Sequence, residues 1–120
     1  MTIDPFTDRL ARVRNRFAAS LANKIDETCA AIPHLSETAP SAASAVADAY
    51  RCVHGIVGVG PTVGFSASGR AAHDVENILR APRNEQRGLT GDEIALLDEA
   101  LRLLREAAAQ ELQSFESPPS

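Results

Sequence analysis

Residues 50–65 place one imidazole, His54, in an apolar run interrupted by Gly55, Gly58, Gly60 and Gly64. A glycine inside a helix costs about 1 kcal/mol relative to alanine, so this density around a histidine needs a reason. If the run is helical, at about 100° per residue Ala45, Ala49, Cys52, Ile56 and Val59 fall within about 40° of the direction opposite His54. That stripe would face a core and His54 would face water. Ala47, Tyr50, Arg51, Val57 and Gly58 share the side of the histidine, within about 60° of it, and Gly58 leaves an open approach to the ring. Glu76 sits on the boundary of the next periodic segment, about 100° from its apolar centre at Val75. Across a helix hairpin its carboxylate can accept the Nδ1 proton of His54, with His73 one turn earlier. Nε2 then keeps a free lone pair, and positive charge developing on the ring is stabilised. An imidazole oriented in this way is a nucleophile suited to capturing a phosphoryl group.

Other chemistries fit less well. A metal centre built from His54, His73 and Glu76 would need inward-facing ligands, and helical bundles supply these through Glu-x-x-His repeated on two helices. Here the order is reversed and unrepeated, so no metal is expected. Cys29 and Cys52 lack Cys-x-x-Cys spacing and sit in apolar settings, which reads as two buried free thiols. His34, beside Pro33, reads as a loop residue. The formal net charge of -4 provides no general basic field, against nucleic acid or an anionic membrane as partner. Nowhere do 18 apolar residues run uninterrupted, and the first residues lack a signal-peptide core, so the cytoplasm is the expected location.

The elements that must position the site are helical throughout. Asp4-Pro5 is a helix start, followed by Phe6, Leu10, Val13, Phe17, Leu21, Ile25, Cys29 and Ile32 at steps of three or four until Pro33 interrupts. This is one long helix or two, with a break expected near Ser20 where the stripe rotates. After a loop from His34 to Pro40, Ser41 can cap the helix of His54, which Gly60-Pro61 ends. A third helix is expected over about 66–80, with Ala71, Ala72, Val75, Ile78 and Leu79 on one face and residues 81–89 as its exit loop. Thr90-Gly-Asp-Glu93 is a capping box opening a last helix whose seam is Ile94, Leu97, Leu101, Leu104, Ala108 and Leu112. The chain of 120 residues suits one domain. It reads as all-α, an antiparallel four-helix bundle over 1–113 with an additional short N-terminal helix as an option, and 114–120 as a flexible tail.

Arg51, His54, Gly58, Gly64-Phe65 and Ala72-His73-Asp74-Val75-Glu76 together resemble the histidine-containing phosphotransfer (HPt) domain, especially the version in chemotaxis-type histidine kinases. The offsets from His54 of four and ten to the glycines, and of nineteen and twenty-two to His73 and Glu76, agree with that family's pattern, as does Leu89-Thr90-Gly-Asp-Glu-Ile94. The resemblance implies that His54 accepts phosphate on Nε2 from a histidine kinase or a receiver aspartate and passes it to a response-regulator receiver. It makes Glu76 the group that orients the imidazole and His73 a neighbour. Tyr50, Arg51, Val57, Gly58 and Arg70 would form the docking surface, Tyr50 and Val57 as its apolar rim. No bound cofactor and no independent turnover are implied, since the partner brings the Mg²⁺. The family usually has lysine where this chain has Val57, which leaves Arg51 or Arg70 as the nearby cation. The alternative is a degenerate module that docks a kinase or receiver without carrying phosphate.

Overall fold

The computed structural model describes residues 5–116; Asp4 as a helix cap, and residues 117–120 of the expected tail, lie outside them. Four α-helices follow in series, α1 (Pro5–Leu35), α2 (Ala42–Val59), α3 (Ser66–Asn84) and α4 (Gly91–Glu116), with a 3₁₀ turn, Gly60–Val63, between α2 and α3. Each helix packs on the next and α4 closes on α1. Pairings that descend on one helix as they rise on the other, such as Tyr50 with Arg83 and His54 with Glu76, make the neighbours antiparallel. The expected bundle is what forms.

Several boundaries differ from the sequence reading. α1 is continuous through Ser20, so among the described residues no short helix is set apart at its start. The Ser20 hydroxyl donates to the Phe17 carbonyl at 3.2 Å, which satisfies it inside the helix. The stripe of α1 is fully buried only from Phe17 onward: Phe17, Leu21 and Ile25 are buried and Leu10 packs half-buried against the core, whereas Phe6 and Val13 are exposed. Pro33 does not stop α1, which runs on to the buried Leu35. Pro82, likewise, is buried inside α3, which ends at Asn84 rather than Arg80. Ser41 does not cap α2 through its side chain, because its backbone is left-handed (φ 61°, ψ 27°) where a capping residue needs an extended one. At the other end α4 holds Ser114–Glu116, and Phe115 packs its ring 5.9 Å from that of Phe65, so the start of the expected tail belongs to the bundle.

The core also sits differently around α2. Ala42, Val46, Ala49, Val53 and Ile56 are buried, Ala45 and Cys52 are half-buried, and Val59 is exposed. At about 100° per residue this stripe lies about 60° from the one opposite His54, rotated toward α3. Cys29 and Cys52 are free thiols but half-buried rather than buried. The seam of α4 forms around Leu97, Leu101, Leu104 and Ala108, with Ile94 and Leu112 half-buried.

Specific polar contacts fasten both ends of the bundle. Glu111 of α4 accepts from the backbone N–H of Ser68 at 2.7 Å and of Ala67 at 3.1 Å, and from the Ser68 hydroxyl at 2.7 Å, which satisfies orphan donors at the start of α3. At the opposite end the Leu89 N–H donates to the Leu35 carbonyl at 2.7 Å and the Glu37 N–H to the Leu89 carbonyl at 2.9 Å, joining the two interhelical connections. Gly88 permits this approach: a Cβ there would lie 2.6 Å from Glu37 Cα. The capping box forms as expected, the Thr90 N–H donating to Glu93 at 2.9 Å and the Glu93 N–H to the Thr90 hydroxyl at 3.2 Å, and Arg87 adds a two-pronged contact to Glu93 at 2.8 and 3.0 Å. Arg87 first, against opposing burial, and then Thr90 hold the Glu93 carboxyl at about 2, well below its ordinary 4.5.

Two outcomes follow from these end contacts. Gly88→Ala forces two backbones apart and is expected to remove about 2 kcal/mol of stability, lowering Tm by several degrees in thermal denaturation; an unchanged Tm contradicts the packing described. Because the folded-state value of Glu93 is depressed, its stabilisation is present above pH 4.5 and is lost as pH falls toward 2. Glu93→Gln is therefore expected to cost about 1 kcal/mol in urea unfolding at neutral pH and far less near pH 2. An equal loss at both pH values contradicts the assignment.

Candidate functional site

The rotation of the α2 core brings its outer flank against α3. His54 stands on that flank with its side chain 63% exposed, while the Glu76 side chain is 5% exposed. The sequence placed Glu76 at a boundary; it is instead buried in the α2–α3 interface, one turn after the buried Ala72. His54 Nδ1 and Glu76 Oε2 are 2.8 Å apart. The other carboxylate oxygen, Oε1, accepts from Arg80 Nη2 at 2.9 Å. Burial opposes the Glu76 charge, but the hydrogen bonds from His54 and then Arg80 outweigh it and hold the carboxyl below its ordinary value. An ionised carboxylate only accepts, so the hydrogen of this bond belongs to Nδ1 of His54, and in the neutral ring Nε2 is left with its lone pair.

A second set of contacts fixes the plane of the ring. Tyr50, one turn before His54, stacks on the imidazole with centroids 5.7 Å apart and planes 10° from parallel. The Tyr50 hydroxyl, and after it Glu76, raise the affinity of Arg80 for its proton above the usual guanidinium range. Tyr50, His54, Glu76 and Arg80 thus form one linked circuit, from ring stack to hydrogen bond to ion pair. Arg83 lies over the Tyr50 ring, its Cζ 4.4 Å from the centroid, and Ala47, Tyr50, Arg51, His54 and Arg83 line a hollow of about 320 Å³.

The remaining residues singled out by the sequence divide in two. Gly58 is exposed one turn beyond His54, and a Cβ there would meet nothing within 4 Å, so the approach to the ring is open on that side. Arg51 shares the hollow but pairs with Asp48 at 3.2 Å. His73 is not brought to the imidazole: it is exposed, its Nδ1 lies 3.4 Å from Asn77 Nδ2, and with Val57 and Arg70 it borders a different shallow hollow. Among the described residues no group of three or more His, Cys, Asp or Glu side chains could hold a metal. Arg80 and Arg83 were missed in the sequence. Arg80 had a signal, since it stands four residues after Glu76 on one helix, whereas Arg83 is recognisable only once α2 and α3 are paired. No described helix is long and apolar enough to cross a membrane.

No solved structure gives a significant match to the chain. The Hpt domain family model matches residues 12–111, which include His54, its partners on α3 and most of all four helices. With a bundle of the expected architecture and an outward imidazole held by a buried carboxylate, the chain belongs to the Hpt domain family, the histidine phosphotransfer modules of phosphorelays.

Proposed function

We propose that the chain is a phosphocarrier in which His54 takes a phosphoryl group on Nε2 from a histidine kinase or a receiver aspartate and hands it to a response-regulator receiver. The observation that carries this reading is the 2.8 Å hydrogen bond between His54 Nδ1 and the buried Glu76 carboxylate, made by a histidine whose side chain is largely exposed. With an aspartyl phosphate as donor, the Nε2 lone pair attacks phosphorus, the N–P bond forms as the P–O bond breaks, and the aspartate leaves as carboxylate. The Nδ1 hydrogen stays on the ring, and the positive charge it gains rests against Glu76, itself kept ionised by Arg80. The ring is already oriented before the donor arrives, so little rotational freedom is lost on reaction.

Partner contact would centre on the Gly58 side of α2, with Tyr50 and Val57 as apolar rim and Arg51 and Arg70 as flanking charges. Mg²⁺ belongs to the kinase or receiver, the carrier needs no resident cofactor or turnover of its own, and such partners place it in the cytoplasm. His73, hydrogen-bonded to Asn77, is a neighbour outside the reacting set. Docking without transfer is the competing reading, favoured by the apolar Val57 beside the site.

Incubation with a cognate kinase, ATP and Mg²⁺, followed by a panel of receivers, is expected to give an acid-labile, base-stable label that is absent in His54→Gln. Tight binding with no label on any histidine contradicts the carrier and supports docking. Glu76→Ala is expected to slow labelling by about ten-fold or more, the scale of losing one oriented electrostatic partner, with the helical fold retained by circular dichroism. Gly58→Leu is expected to leave Tm within a few degrees of the parent and to block transfer from a receiver; normal transfer contradicts the approach assigned to that side.

A further inference from the structure

We propose that Lys24, reaching from α1 across Gly55, is the cation that meets the phosphoryl group at His54. This rests on the phosphocarrier reading above and adds the source of its charge balance. Transfer brings a doubly charged phosphoryl group to Nε2, and a cation able to swing onto its oxygens favours that state.

Three of the nearby arginines are already engaged. Arg80 is held by Glu76 at 2.9 Å, Arg51 by Asp48 at 3.2 Å, and Arg83 by the face of Tyr50 and by Asn84 Oδ1 at 3.3 Å. Their charges are spoken for before phosphate arrives. Lys24, the single lysine of the chain, is different: among the described residues its ammonium makes no ion pair or hydrogen bond. Nor is it remote. A Cβ built on Gly55, the residue after His54, would lie 3.8 Å from Lys24 Nζ. On α2 Gly55 is displaced from His54 by about 100° toward α1, while the carboxylate of Glu76 approaches from the side of α3. The ammonium and the carboxylate therefore flank the imidazole from opposite neighbours.

Two features make this placement specific. The Lys24 carbonyl accepts from the Thr28 hydroxyl at 2.9 Å and from Cys52 Sγ at 3.6 Å, which fastens this turn of α1 to α2 and fixes where the side chain begins. Gly55, lacking a side chain, leaves the lysine arm a track over the backbone of α2. A compact ammonium on a flexible four-carbon stem can pivot onto a phosphoryl oxygen where a planar guanidinium committed to a partner does not. The competitor is Arg70, which borders a hollow with Val57 and His73 on the opposite flank.

Phosphoramidate tests this without a protein donor. The Nε2 lone pair attacks phosphorus, the new N–P bond forms as the P–N bond of phosphoramidate breaks, ammonia leaves with its hydrogens, and Nδ1 keeps its own. Lys24→Met is expected to label His54 roughly three- to ten-fold more slowly at unchanged Tm, the range of a partly exposed charge-assisted contact, with Lys24→Arg restoring most of the rate. Gly55→Leu should give a similar defect to which Lys24→Met adds little, as for two changes on one interaction. Equal rates for the parent and Lys24→Met, or a defect confined to Arg70→Met, overturn the role of Lys24 while leaving the phosphocarrier intact. No label on His54 in the parent chain overturns both.

Discussion

The hydrogen bond between His54 on α2 and Glu76 on α3 is the constraint around which the rest of the site is arranged. A buried carboxylate is unfavourable unless its charge is balanced and its oxygens are occupied. Here one oxygen takes the imidazole N–H and the other takes a guanidinium N–H from Arg80. Arg80 also donates to Asn77 at 2.8 Å, and Tyr50 stacks on the imidazole. Each member restricts the next, so ring plane, ring tautomer and carboxylate charge are set together. An exposed histidine without this circuit would spin and share its hydrogen between both nitrogens.

The fold serves that circuit by keeping α2 and α3 in register. A buried carboxylate paired with a group on another helix tolerates little sliding, because a displacement of even one turn would leave Glu76 charged and unpaired. The ends of the bundle supply the restraint. Glu111 ties α4 to the start of α3, and the Leu35–Leu89 and Glu37–Leu89 bonds tie the connection before α2 to the connection after α3. The 3₁₀ turn between α2 and α3 closes at Gly64, whose φ of 93° suits glycine, and leads directly into the buried Phe65. On the reacting face Tyr50 and Val57 pack half-buried against the core, whereas His54 and Gly58 stay exposed.

Much of this was legible in the chain. Four periodic segments, the Thr90–Glu93 box and the spacing from His54 to Glu76 specify the bundle and its central pair, because periodicity and local capping are properties of neighbours in sequence. What was misjudged depends on neighbours in space. Periodicity alone puts the α2 core opposite His54, but the packing of α3 against α2 turns it toward Val46 and Val53, and Glu76 is buried in that interface. Pro33 and Pro82 read as helix ends, yet both sit inside helices that continue for two residues to the buried Leu35 in one case and to Asn84 in the other. Arg83 and Lys24 lie 29 and 30 residues from His54 on other helices, where no pattern in one sequence links them to it.

The central claim concerns one hydrogen atom, and nitrogen-15 spectroscopy of the histidine rings reads it directly. At a pH well above the imidazole range, where the ring is neutral, His54 is expected to show a protonated Nδ1 and a bare, pyridine-like Nε2, with that distinction lost in Glu76→Ala. A His54 ring that carries its hydrogen on Nε2, or whose nitrogens are unaffected by removal of Glu76, would contradict the account.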